Sequence, residues 1–265
     1  TASWSSGSLN VTLTGLTNGT SYTFAVTATN SVGESNASSS SSAVTPATVP
    51  GAPTNVSATA GNTQAIVTWN APSSTGGSAI TAYNVTASPG GATASWSSGN
   101  LTATVTGLTN GTSYTFAVVA TNSVGESNAS SSSSAVTPAT VPGAPTNVSA
   151  TAGNTQATVT WNAPSSNGGS TITGYTATAS PGGQTITVNG SALTATFTGL
   201  TNATSYTFTV IANNRVGDSA ESLASSSVTP ATVPGAPTNV YATRGNTIAT
   251  VNWTAPSSNG GSMVT

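Results

Sequence analysis

Short runs of alternating apolar and polar residues recur along the chain, each closed by Gly, Pro, Asn or Ser. Such period-two runs put every second side chain on one face of a strand. Within residues 49–140 the first run is Thr54–Thr59, followed by a turn at Ala60–Gly61–Asn62. The second, Gln64–Asn70, sets Ala65, Val67 and Trp69 on one face. The third, Ile80–Ala87, turns Tyr83 and Val85 inward, and Ala92–Ser97 and Leu101–Thr106 are a fourth and a fifth. Tyr114–Thr121 is the sixth, with Tyr114, Phe116, Val118 and Ala120 on its inner face, and Ser132–Thr137 closes the set as a seventh strand. APSSTGGS, SPGG and NSVGESNASS read as loops. VPGAP reads as an extended, semi-rigid connector. Seven short strands separated by turn residues predict an all-β, immunoglobulin-like sandwich.

The pattern repeats. VPGAPTNV occurs at Val49, Val141 and Val233, a spacing of 92 residues each time. TASWSSG occurs at Thr1 and again at Thr93, and residues 1–48 match residues 93–140 at 43 of 48 positions. A period of that length suits one self-contained sandwich better than a solenoid unit of roughly 20–50 residues. The expected organisation is therefore the back part of one repeat (1–48), two complete repeats (49–140 and 141–232) and the front part of another (233–265). The two end pieces together lack a counterpart of residues 82–92, most of the third strand. End-to-end completion between two chains is therefore not expected, and the segment reads as a window on a longer array.

The ordered residues within each repeat resemble a fibronectin type III domain. They are Pro53, Trp69, Tyr83, a Leu at 108 six residues before Tyr114, and the Y-x-F-x-V-x-A strand from Tyr114 to Ala120. Pro145, Trp161, Tyr175, Leu200, Tyr206, Phe208, Val210 and Ala212 repeat the set, and Trp253 begins it again. The resemblance covers the whole chain and is to bacterial extracellular arrays of this family. It implies tandem seven-stranded sandwiches with Trp69, Tyr83, Trp161, Tyr175 and Trp253 in the cores. It also implies that Leu108 with Tyr114, and Leu200 with Tyr206, form tyrosine corners, in which the Tyr hydroxyl bonds back to the chain.

Composition narrows the function. Ser and Thr make up 43 and 53 of the 265 residues, while the hydrophobic fraction is 35%. That is consistent with small cores inside polar shells. Six residues are charged (Glu34, Glu126, Asp218, Glu221, Arg215 and Arg244), for a net charge of −2. Phosphate neutralisation needs clustered Lys and Arg, so nucleic acid is not an expected partner. There is no polybasic segment for anionic lipid and no apolar run of about 20 residues, so membrane insertion is not expected either. With no His, Cys or Lys, general acid–base catalysis, nucleophile activation and metal ligation lack their usual groups. No catalytic residue, cofactor or metal ligand is expected. Asp218 and Glu221 share a loop with Arg215 and read as exposed charges. Arg215–Val–Gly–Asp218 carries one residue too many for an integrin tripeptide.

Two surface features stand out. Trp4 and Trp96 occupy the fourth strand, where the third repeat has Val188. They are either contact residues for a glycan or a neighbouring molecule, or edge-strand caps on the core. Twelve Asn-x-Ser/Thr sequons include Asn18, Asn36, Asn110, Asn128 and Asn202 as candidate glycosylation sites, and the serine tracts are candidates for O-linked sugar. A thread of nearly uncharged modules feels little electrostatic repulsion from its neighbours. The leading expectation is a structural repeat protein outside the cell or on its surface, packing with copies of itself into a filament, sheath or layer. The alternatives are spacer modules of a secreted carbohydrate-active enzyme and the stalk of a glycan-binding adhesin.

Overall fold

The computed structural model describes residue 2, residues 7–97 and residues 99–265. The chain divides into two compact units, Thr1–Pro138 and Ala139–Thr265.

In the first unit, β1 (Thr54–Ala60), β2 (Gln64–Asn70) and β5 (Thr102–Thr106) form one antiparallel sheet in the order β1–β2–β5. The other sheet, β4–β3–β6, contains β3 (Ala82–Ser88), β4 (Thr93–Ser97) and β6 (Thr115–Thr121). Between them lie Ala65, Val67 and Trp69 from β2, Tyr83, Val85 and Ala87 from β3, Ala103 and Val105 from β5, and Phe116, Val118 and Ala120 from β6. Burying one Val or Phe fully is worth roughly 1.5–3 kcal/mol, so this one cluster accounts for most of the drive to fold. Trp69 lies against Tyr83 with ring centroids 5.3 Å apart, tilted by 57°. This off-parallel arrangement suits the ring quadrupoles.

The second unit repeats the design with β7 (Thr146–Gly153), β8 (Gln156–Asn162) and β11 (Thr194–Thr198) against β9 (Ile172–Ser180), β10 (Thr185–Asn189) and β12 (Thr207–Asn214). Trp161 meets Tyr175 at 5.5 Å, and Phe197, where the second repeat has Val105, meets Phe208 at 4.9 Å. A final hairpin, β13 (Thr238–Arg244) with β14 (Ala249–Thr254), has no facing sheet among the described residues. Trp253 is therefore 62% exposed, with Tyr241 and Val251 also open. In this chain Trp253 is not the core residue that its place in the repeat implies, because the strands that would cover it are absent from the hairpin's surroundings.

The first strand of each repeat carries a bulge. The β1/β2 register shifts between Thr54 and Ser57, where Asn55 has φ 53°. Asn147 and Asn239 do the same at φ 52°. Asn tolerates this left-handed conformation better than a β-branched neighbour would.

The seventh strand departs from expectation. Residues 126–136 run antiparallel to β6 but join it by only two isolated bridges, Tyr114–Val136 and Thr121–Glu126. Between the bridges the pairing is made by serines spaced three apart, matching residues two apart on β6. The Ser133 N–H donates to the Phe116 carbonyl (2.9 Å), and the Phe116 N–H donates to Ser133 Oγ (3.1 Å). Ser130 pairs in this way with Val118, and Ser127 with Ala120. Each hydroxyl proton goes to the next residue's own carbonyl, as from Ser127 to Asn128 (2.7 Å). A segment advancing three residues for every two cannot present its carbonyls in ladder register. The serine oxygen takes the carbonyl's place, so no buried N–H of β6 is left bare. Ser219, Ser222 and Ser225 repeat the device on β12, and Ser35, Ser38 and Ser41 repeat it in the first segment.

Candidate functional site

The expected core positions Trp69, Tyr83, Leu108, Tyr114, Trp161, Tyr175, Leu200 and Tyr206 are all buried. The Thr109 N–H donates to the Tyr114 hydroxyl at 3.1 Å, and Thr201 donates to Tyr206 at 3.2 Å. These are the tyrosine corners, and Thr17 and Tyr22 form a third at 3.0 Å. The donated hydrogen bonds hold the Tyr114 and Tyr22 phenols below their ordinary ionisation range, because they favour the phenolate. Burial pushes the Tyr83 and Tyr175 phenols up.

Trp4 lies outside the described residues. Trp96 pairs with Tyr83 across β4 and β3, which places it on the core side of an edge strand, with 36% of its surface open. Val188 pairs with Tyr175 in the same way and packs against the core. The register therefore gives Trp96 a capping position with a partly open face.

Of the sequon residues, Asn18, Asn36 and Asn128 are exposed, whereas Asn110 and Asn202 are half-buried. Asn110 Oδ1 accepts from the Thr63 N–H (2.9 Å) and its Nδ2 donates to Asn62 Oδ1 (2.8 Å). Thr63 has φ 55°, a conformation that a β-branched residue adopts only under constraint. Asn110 and the Leu108 N–H, which donates to the Thr63 carbonyl at 2.9 Å, hold it there. Asn202, Thr155 and Leu200 repeat the arrangement. A sequon count misses this role, because the partners lie 47 residues apart.

Arg215 Nε donates to Ser170 Oγ at 3.1 Å, and Asp218 accepts from Asn213 Nδ2. Among the described residues there is no group of three or more His, Cys, Asp or Glu able to hold a metal ion. No helix among the described residues is long and apolar enough to cross a membrane.

The best-organised polar constellation lies where the connector, whose sequence predicts a semi-rigid link, meets the following repeat. The Thr48 N–H donates to the Gly76 carbonyl (2.8 Å), and the Gly51 N–H to the Ser74 carbonyl (2.9 Å). Asn122 sits at the end of β6 and is 4% exposed. Its Nδ2 donates to the carbonyls of Thr48 (2.7 Å) and Thr75 (2.8 Å). Its Oδ1 accepts from the N–H groups of Val124 and Gly125. One amide thus ties the connector, the loop after β2 and the turn after β6 together. In the second unit, Asn214 does the same with Thr140, Asn167, Val216 and Gly217. The Thr140–Gly168 and Gly143–Ser166 bonds match those of Thr48 and Gly51. Thr232 and Gly235 make the same backbone bonds to Gly260 and Ser258.

The diglycine of the loop fits this junction closely. A Cβ on Gly76 would lie 2.2 Å from the Thr48 carbonyl oxygen, and one on Gly77 would lie 2.3 Å from the Gly19 nitrogen of the preceding repeat. A Cβ on Gly260 would lie 2.1 Å from the Thr232 carbonyl oxygen, and one on Gly261 would lie 2.8 Å from the Ala203 nitrogen.

The fibronectin type III domain model matches residues 51–136 and 143–228. Chitinase A1 of Niallia circulans is 38% identical over 189 residues, covering 64% of this chain and 24% of that protein. Exoglucanase B of Cellulomonas fimi is 34% identical over 236 residues (83% of this chain, 21% of that protein). Endoglucanase B of Cellulomonas fimi is 34% identical over 238 residues (83% and 22%). The chain thus spans less than a quarter of the length of these relatives. Among solved structures, the chicken CNTN1 FN1–FN3 domains align with 77% of this chain and 75% of that one, at 24% identity and a TM-score of 0.42. The family match, the two-sheet cores and the tyrosine corners agree: the chain belongs to the fibronectin type III family.

Proposed function

We propose that these repeats are non-catalytic spacer modules of a longer secreted protein that acts on carbohydrate outside the cell. The observation that carries this reading is the set of relatives. A chitinase and two glucanases share this sequence over no more than a quarter of their own lengths. A spacer needs stable folds and defined connectors, and the junctions at Thr48, Thr140 and Thr232 supply the second. The filament or layer reading rests on low charge alone and has less behind it. Low charge serves a spacer equally well, by keeping it indifferent to neighbouring domains and to an uncharged polysaccharide.

Two measurements test the proposal. The gene on either side of this segment is expected to encode a glycoside-hydrolysing domain. The purified chain is expected to release no sugar from insoluble chitin or glucan. A reading frame made of repeats alone, whose product scatters light as long filaments, would sink the spacer reading in favour of self-assembly.

A further inference from the structure

We infer that the connectors at Thr48 and Thr140 are each locked onto the repeat that follows, with the amide of Asn122 as the bolt in the first unit and that of Asn214 in the second. The inference rests on the junction geometry and stands whether or not the parent protein acts on carbohydrate. A Pro- and Gly-containing connector with free N–H and C=O groups would swing. Here three of the connector's polar groups are taken up by the following repeat. Thr48 is held at both ends of its peptide, through its N–H by Gly76 and through its carbonyl by Asn122, and Gly51 is held by Ser74. Asn122 is buried, so its two N–H groups need partners, and the carbonyls of Thr48 and Thr75 supply both. Val49 adds an apolar contact at Gly125, whose Cβ would lie 3.3 Å from Val49 Cγ1, and Val141 does the same at Gly217.

The close fit of Gly77 on Gly19, and of Gly261 on Ala203, sets the neighbouring repeat directly against the same loop. The bonds that lock the joint are neutral, so salt does not loosen them. The recurrence of the same bonds at Thr140 and Asn214 makes this a property of the repeat rather than of one connector.

Replacing the bolt by its acid separates its two jobs. Asn122→Asp keeps the acceptor oxygens for Val124 and Gly125 but loses both donors to the connector. Asn214→Asp does the same for Thr140 and Asn167. Amide hydrogen exchange is read in the whole chain, native and variant. In the native chain the N–H groups of Thr48, Gly51, Thr140 and Gly143 are expected to be protected like strand amides. In the variants the same four are expected to exchange about tenfold faster or more, while Gly125, Gly217 and the β2 and β8 amides keep their protection. Exchange of the four at unprotected rates in the native chain overturns the inference, and that arm stands even if a variant fails to fold. Unchanged connector protection in a folded variant overturns it too. Simultaneous loosening of connector, turn and core would make Asn122 a general support of the fold rather than a bolt on the connector, and overturns the inference as well.

Discussion

Trp69 and Trp161 bring the largest rings into their cores and pack on Tyr83 and Tyr175. Truncating either to Ala removes that volume from a closely packed site and should cost about 3–5 kcal/mol, read as a lowered urea midpoint for the repeat concerned. The tyrosines divide by environment. Tyr83 and Tyr175 are raised by burial, so the folded state keeps their protons to higher pH than the unfolded state does. Their contribution is therefore complete below about pH 10 and is lost as pH rises past it. Tyr114, lowered by its bond from Thr109, works in the opposite sense and favours the fold only in the alkaline range. A spectrophotometric titration should show Tyr22 and Tyr114 ionising before Tyr83 and Tyr175, and Tyr83→Phe should remove part of the late phase. At this scale the sequence was readable. Alternation alone put Trp69, Tyr83 and Phe116 inside, and the Leu108–Tyr114 spacing marked the corner. Asn110 and Asn122 were not readable, because what they hold lies 47 and 74 residues away.

The strands formed where alternation and turn residues placed them, with ends differing by one or two positions. β2 (Gln64–Asn70) has the expected bounds, while β3 begins at Ala82 rather than Ile80. The exception is the last segment. Ser132–Thr137 reads as a strand, yet the pairing runs through the hydroxyls of Ser127, Ser130 and Ser133. No pattern of polarity marks it, because the paired and free serines in the tract are the same residue type. Ser133→Ala would leave the buried Phe116 N–H without its acceptor and should cost about 1–3 kcal/mol, whereas Ser134→Ala, on the exposed side, should change stability by less than about 0.5 kcal/mol. The comparison of the two melting curves decides whether the serine ladder carries energy. The same geometry leaves the ladder hydroxyls engaged, so any O-linked sugar on the tract should map to the serines between them.

For the whole chain, six charges in 265 residues leave little for salt to screen. Thermal midpoints in sodium chloride from about 10 mM to about 500 mM should stay nearly constant, within about 2 °C, because exposed pairs contribute little even at low salt. A steep salt dependence would point to an electrostatic role that the described residues do not supply.

The 92-residue period, the all-β class, the inward phase of the core strands and the absence of His, Cys and Lys were all set by the sequence alone. They depend on what each residue is and on its near neighbours. The serine ladder, the Asn110 brace on Thr63 and the Asn122 bolt on the connector were decided only by the tertiary structure. Each joins a side chain to a backbone group distant along the chain. Such a bond depends on how the sheets and loops meet in space, which local periodicity does not encode.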